Sequence, residues 1–218
     1  MKKKPLILAL EATGNYLGFS LATVDGDSSP LKKIKTYFSY FFSWKTKILL
    51  LSLVFGFTFL LPALNILLLR KLNVIKSITL HDGKDRTFPY LVTVVFYLGL
   101  CFLIWDFELS FFFKAVILAG GISILTTSII NKYWKISAHL IGIGGLTGAI
   151  IGASLILKQE FIVFICVALG IAGLLGFARI QLKAHTPWQI YSGFFLGTFI
   201  TTITVVVAYL IQIIDKSV

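Results

Sequence analysis

Apolar residues in this chain come in long charge-free runs separated by short polar, mostly basic, segments. The runs occupy 48–69, 87–105, 115–131, 136–157, 161–178 and 184–214. Each is close to the ~20 apolar residues that a helix needs to cross the hydrocarbon core of a bilayer. Their apolar positions do not alternate with period two, so the pattern predicts helices and excludes a membrane barrel. The fold class expected is all-α: a polytopic integral membrane helical bundle with six strong spans.

The amino end fits that scheme less well. Met1–Lys4 is basic, but the apolar run Pro5–Leu10 is shorter than a signal-peptide core and stops at Glu11, so cleavage is not expected. Residues 5–24 read as a seventh span or as a re-entrant hairpin, with Gly14 and Gly18 against other helices, and Asp25–Pro30 reads as a polar turn. Leu31–Lys47 mixes five lysines with Tyr37, Phe38, Tyr40, Phe41, Phe42 and Trp44, the mixture of an amphipathic segment lying in the membrane interface. The expected division is thus 1–47 as a weak-span and interfacial segment and 48–218 as the membrane domain.

Composition agrees. Only 13% of residues are charged while 57% are hydrophobic, against roughly 25% charged in soluble domains, which excludes a soluble globular protein. The net charge of +11 sits in loops beside the spans, where anionic headgroups are the nearest counter-charge. Membrane lipids, and no nucleic acid, are the expected partners. Cys101 and Cys166 lie inside apolar runs and read as packing residues, without the spacing of a disulfide or metal site.

Because each crossing changes sides, six spans sort the loops onto two faces. Arg70–Phe88, Lys132–Lys135 and Arg179–Gln189 share one face, and Asp106–Lys114, Lys158–Glu160 and Asp215–Val218 share the other. His81, His139 and His185 all fall on the first face, among Lys84, Arg86, Lys132, Lys135, Arg179 and Lys183. One such cation is ordinarily a snorkelling residue at a helix end; three histidines gathered with cations form a constellation suited to an anion.

The spacing within this constellation resembles a known family. Arg179, five residues, His185, three residues, Gln189 is similar to the third signature of the type 2 phosphatidic acid phosphatases, Ser-Arg-x5-His-x3-Asp. Ile136-Ser137-Ala138-His139 resembles the second, Pro-Ser-Gly-His. Lys84-Asp85-Arg86-Thr87-Phe88-Pro89 offers the Lys, Arg and Pro of the first, Lys-x6-Arg-Pro, at altered spacing. The resemblance covers residues 48–214; Ala178 stands where the family has Ser, Ile136 for Pro, Ala138 for Gly and Gln189 for Asp.

The resemblance implies a metal-independent hydrolase, with no cofactor, that acts on a lipid or isoprenoid phosphate through a phosphohistidine. His185 attacks phosphorus while Gln189 holds its other ring nitrogen, and His139 protonates the leaving group. Arg179, Lys84 and Arg86 clamp the phosphoryl oxygens, with Ser137 and the first amides of the 138–157 helix as further donors. Only Asp82 and Asp85 supply carboxylates on this face, in keeping with a site that holds no metal. A Gln carbonyl can orient an imidazole but cannot neutralise its cation, so a degenerate member that binds phospholipid, or serves as a subunit of a membrane complex, stays open. So does a bis-histidine haem subunit.

Two patterns add to the frame. Gly144, Gly148 and Gly152, then Gly170, Gly173 and Gly176, then Gly193 and Gly197 recur at three- to four-residue steps, which predicts a tight bundle of spans four to six carrying His139 and His185. Tyr90, Tyr133, Trp134 and Trp188 read as interfacial aromatics. The histidine face holds nine Lys and Arg and the other face eight; without Lys84, Arg86, Lys135 and Arg179 the first keeps five. The positive-inside rule then puts the histidine face outside, on the periplasmic side of a bacterial cytoplasmic membrane.

Overall fold

The structure, a computed structural model, describes residues 6–13, 16–23, 44–75, 83–107 and 109–217. Strands β1 (Leu6–Thr13) and β2 (Tyr16–Thr23) pair antiparallel, with Thr13 opposite Tyr16 and Leu6 opposite Thr23. This departs from the span or re-entrant segment expected for 5–24. The physical reason is legible afterwards: Gly14-Asn15 between two eight-residue strands is a composition that two-residue hairpin loops favour.

The rest is helical: α1 (Trp44–Phe55), a π-helical turn (Gly56–Leu60), α2 (Leu61–Lys71), α3 (Gly83–Leu103), α4 (Phe111–Ile130), α5 (Ala138–Leu157), α6 (Ile162–Gln181) and α7 (Pro187–Ser217). Five helical stretches are long and apolar enough to cross a membrane: Trp44–Lys71, α4, α5, α6 and Pro187–Asp215. The run expected as a second span lies in α3, a helix of 21 residues that opens with Lys84, Asp85 and Arg86; its apolar part, Thr87–Leu103, is shorter than those five stretches. Of the expected interfacial segment 31–47, residues 31–43 lie outside the described residues, and the last four, 44–47, open α1.

Local chemistry explains the irregular points. In the first stretch Leu61 N–H donates to Gly56 O, a five-residue step, and Pro62 follows at once. Proline has no N–H to continue the four-residue ladder, and widening the helix by one residue accommodates it. The α3–α4 turn is closed by Lys114 Nζ donating to Trp105 O at 2.6 Å, and Ser110 caps α4 by accepting from Phe113 N at 3.4 Å. The α5–α6 turn passes through Lys158 at φ 51°, with the Ser154 hydroxyl on Gln159 O at 2.6 Å.

Two apolar cores hold the helices. Leu50, Leu100, Ile104 and Ile117 join α1, α3 and α4, while Leu140, Ala172 and Ile190 join α5, α6 and α7. The stretches α4 and α5 are the central ones, with 39% of their apolar windows buried against 6% for Trp44–Lys71. Outward faces carry Phe102, Leu174 and Phe195 in the open, as lipid-facing helices do. Cys101 packs against the first core as expected; Cys166 instead faces outward from α6.

Helices α5 and α7 meet backbone to backbone. A Cβ on Gly144 would strike Phe194 O, one on Gly148 would strike Thr198 O, and one on Gly197 would strike Ile141 O. The paired residue numbers rise together, so the two helices run parallel and begin at the same end of the bundle. Thr198 and Thr202 hydroxyls reach across to Gly144 O and Gly148 O, each at 3.1 Å. In lipid no hydrophobic force draws helices together, so close packing of small residues and such hydroxyl bonds, averaging ~0.6 kcal/mol each, must hold this pair. The sequence pattern of Gly144, Gly148, Gly193 and Gly197 is borne out as packing, whereas Gly170 and Gly173 meet nothing within 4 Å.

That contrast is testable. Gly197→Leu must push α5 from α7 because the obstacle is backbone; we expect a cost at or above the upper end of the roughly 1–3 kcal/mol of overpacking. Gly173→Ala should leave the melting temperature in detergent unchanged or raised. Equal melting temperatures for the two variants would contradict the backbone contact.

Candidate functional site

At the shared starting end of α5 and α7, several separate hydrogen bonds tie the neighbouring helix ends together. Asn131, the residue ending α4, accepts from Ile136 N through Oδ1 at 3.1 Å. Ser137, just before α5, donates its N–H to Gln189 O at 3.3 Å and accepts from Ile141 N at 3.0 Å. The Ser128 hydroxyl reaches Thr87 O at 3.3 Å and ties the start of α3 to the end of α4. The starts of α3, α5 and α7 and the end of α4 thus lie together.

The α6–α7 connection is built from two terminal motifs in succession. Lys183 takes the left-handed conformation at φ 48°, Lys183 N–H donates to Ile180 O at 2.8 Å and Ala184 N–H to Arg179 O at 3.0 Å. This is a Schellman turn, and it ends α6. One residue later Thr186-Pro187-Trp188-Gln189 opens α7 with half of a capping box: Gln189 Oε1 accepts from Thr186 N at 3.1 Å. His185 sits between the two motifs and is buried, with 7% of its surface exposed. The five-residue gap from Arg179 to His185 is the length of this stop-and-restart.

The capping box also fixes the chemistry of His185. Its Nδ1 lies 3.1 Å from Gln189 Oε1. A backbone N–H can only donate, so the Gln189 atom facing Thr186 is the oxygen, and the imidazole must donate to that same oxygen through Nδ1–H. In the neutral ring the lone pair then sits on Nε2. That is the protonation pattern a nucleophile or base acting through Nε2 needs.

The expected site residues are distributed as follows. His185, Gln189 and Ser137 are brought together through the two backbone and side-chain contacts above. His139 stands on the first turn of α5, two residues past Ser137, and is exposed. Arg179 is on the last turn of α6, beside Gly176, whose position abuts Ile190 of α7. Its Nε is buried without a partner. Lys84 and Arg86 belong to the first turn of α3, and their side chains lie outside the described residues, as does His81. Among the described residues no three His, Cys, Asp or Glu side chains gather as a metal cage requires.

Sequence reasoning missed Asn131 and Thr186. Thr186 carries a signal that could have been read, the Thr-x-x-Gln spacing ahead of an apolar run. Asn131 shows only as an uncharged polar residue ending a span. Among the described residues six buried side-chain atoms have no hydrogen-bond partner, and four of them, Thr87 Oγ1, Asn131 Nδ2, Ser137 Oγ and Arg179 Nε, belong to this end of the bundle.

The fold and this site define a helical protein with the long apolar helices of an integral membrane protein and a polar, histidine-bearing end. Compared with protein-family models, with curated proteins and with solved structures, the chain matches none of them.

Gln189→Leu removes both bonds of Oε1 and should cost roughly 1–3 kcal/mol of stability. Nitrogen NMR of ¹⁵N-histidine-labelled protein should show His185 in the Nδ1–H tautomer, and a mixture of tautomers in Gln189→Leu. An Nε2–H ring in the wild type would overturn the assignment.

Proposed function

We propose that the protein is a membrane phosphatase that hydrolyses a phosphomonoester or diphosphate on a lipid headgroup or isoprenoid, a divergent relative of the type 2 phosphatidic acid phosphatases. The observation that carries the reading is the His185–Gln189 hydrogen bond, which puts the ring proton on Nδ1, the tautomer that a nucleophile acting through Nε2 requires; Arg179 lies on the helix turn just before this connection. Conformity to the family spacing of Arg179, His185, Ser137 and His139 supports it further.

The reaction runs in two steps. His185 Nε2 forms a bond to phosphorus as the bond to the lipid oxygen breaks, and the His139 imidazolium gives its proton to that oxygen. Water then attacks phosphorus, the N–P bond breaks, His139 takes the proton from water, and phosphate leaves. Arg179, with Lys84 and Arg86, meets the charge on the equatorial oxygens; Ser137 and the first amides of α5 donate to them. Gln189 orients the His185 ring throughout, but as an amide it offers no negative charge to the imidazolium side of the cycle.

The membrane frame we propose has six spans, with α3 crossing through its apolar part. The turns 106–114 and 158–160 face the cytoplasm of a bacterium and the histidine end faces outward, where the headgroups of the outer leaflet lie. Lipids are then both solvent and substrate.

His185→Ala should reduce phosphate release from a panel of lipid phosphates to background, and Gln189→Asp should preserve or raise it. An active wild type whose rate survives His185→Ala refutes covalent catalysis by this residue. If neither wild type nor Gln189→Asp releases phosphate, and the protein copurifies with fixed membrane partners, the structural-subunit reading takes its place. For topology, single cysteines in the 106–114 and 158–160 turns, on a background lacking Cys101 and Cys166, should resist a membrane-impermeant thiol reagent in intact cells. Labelling there reverses the orientation.

A further inference from the structure

We propose that Asn131 is a further phosphoryl-binding residue, its Nδ2 donating to the phosphoryl oxygens beside Ser137 Oγ; the inference rests on the phosphatase reading for the identity of the anion. Asn131 ends α4 and has 3% of its surface exposed. Its orientation is fixed by Ile136 N–H, which can only donate, so Oδ1 faces Ile136 at 3.1 Å and the NH₂ group is the other end. That NH₂ is buried and has no partner. An amide held so firmly by its oxygen, with both donors unmet, lacks an acceptor.

Ser137 repeats the situation one residue past Ile136. It is fully buried, it occupies the position before α5 where a serine ordinarily caps the helix, and its hydroxyl makes no cap bond and has no partner. Its hydroxyl is therefore not spent on the helix amides at the positive end of the α5 dipole. Two buried side-chain donors thus border one helix start, joined through the strap Asn131 Oδ1 to Ile136 N. A third donor, Arg179 Nε, and the Thr87 hydroxyl are unmet at the same end of the bundle. Unmet donors in this number call for a group with several acceptor oxygens and negative charge, which a phosphoryl group is. Asn131 adds neutral donors, so it contributes without the repulsion that one more cation beside Arg179 would bring.

The test uses full-length protein in detergent, with inorganic phosphate and short-chain phosphatidic acid as separate probes. The chain has four asparagines, so ¹⁵N-asparagine labelling gives few side-chain signals. The Asn131 NH₂ pair should shift on saturation with at least one probe, and which probe does so tells free phosphate from headgroup. Asn131→Asp keeps the oxygen for Ile136 and replaces the donors with charge; binding should weaken roughly tenfold or more, with the melting temperature of the unliganded protein retained. If wild type binds and Asn131→Asp binds equally well, Asn131 only positions backbone and the proposal fails alone. If wild type binds without turnover while Asn131→Asp is weakened, the anion site stands and the phosphatase reading falls. If wild type binds neither probe, the proposal and the site both fall. Should Asn131→Asp not fold, an NH₂ pair in the wild type unmoved by either probe still overturns the proposal, and a shifted one upholds it.

Discussion

The backbone contact between α5 and α7 is the constraint on which the polar end depends. Where a Cβ on Gly144, Gly148 or Gly197 would strike the carbonyl of the facing helix, no side chain separates the two backbones. That approach sets the longitudinal register, since Thr198 and Thr202 can bond Gly144 O and Gly148 O only at one offset. The same register lays Ser137 N against Gln189 O, one turn before the first glycine contact. A slip by one turn would part the two histidine-bearing segments while leaving every helix intact.

A membrane interior penalises unmet polar groups, and along the spans the hydroxyls mostly bond back to the carbonyl four residues earlier, as Thr58, Thr93, Thr126, Thr127 and Thr204 do. The histidine end breaks this economy. Its backbone groups are well tied, by a Schellman turn, half a capping box and the Asn131 strap, yet several side-chain donors next to that scaffold are left open. Rigid backbone with open donors is what the proposed anion site requires, since such donors need not reorient when charge arrives.

Gln189 joins the two roles. As the third residue of α7 it holds Thr186 N–H and starts the helix, and through the same oxygen it holds the His185 ring. A carboxylate could accept both bonds as well, so an amide in its place preserves geometry and alters electrostatics. The helix start and the ring orientation are therefore one structural problem here, while the basicity of the ring is a separate one.

The sequence by itself determined the membrane character, five of the long helices to within a few residues, and the closeness of the glycine-bearing spans, because the length of an apolar run and the recurrence of small residues are local properties. It misread residues 5–24, where a two-residue turn signal outweighed apolar content. Arg179, His185 and Gln189 were legible from spacing, since one short connection carries all three. Only the tertiary structure decided which of the glycines meet a partner, Gly144 and Gly197 but not Gly170 and Gly173, for nothing in a small residue says which neighbour faces it. It alone decided that Asn131 is buried with its oxygen spent and its donors open, because the state of a polar group depends on the backbone that arrives from elsewhere in the chain.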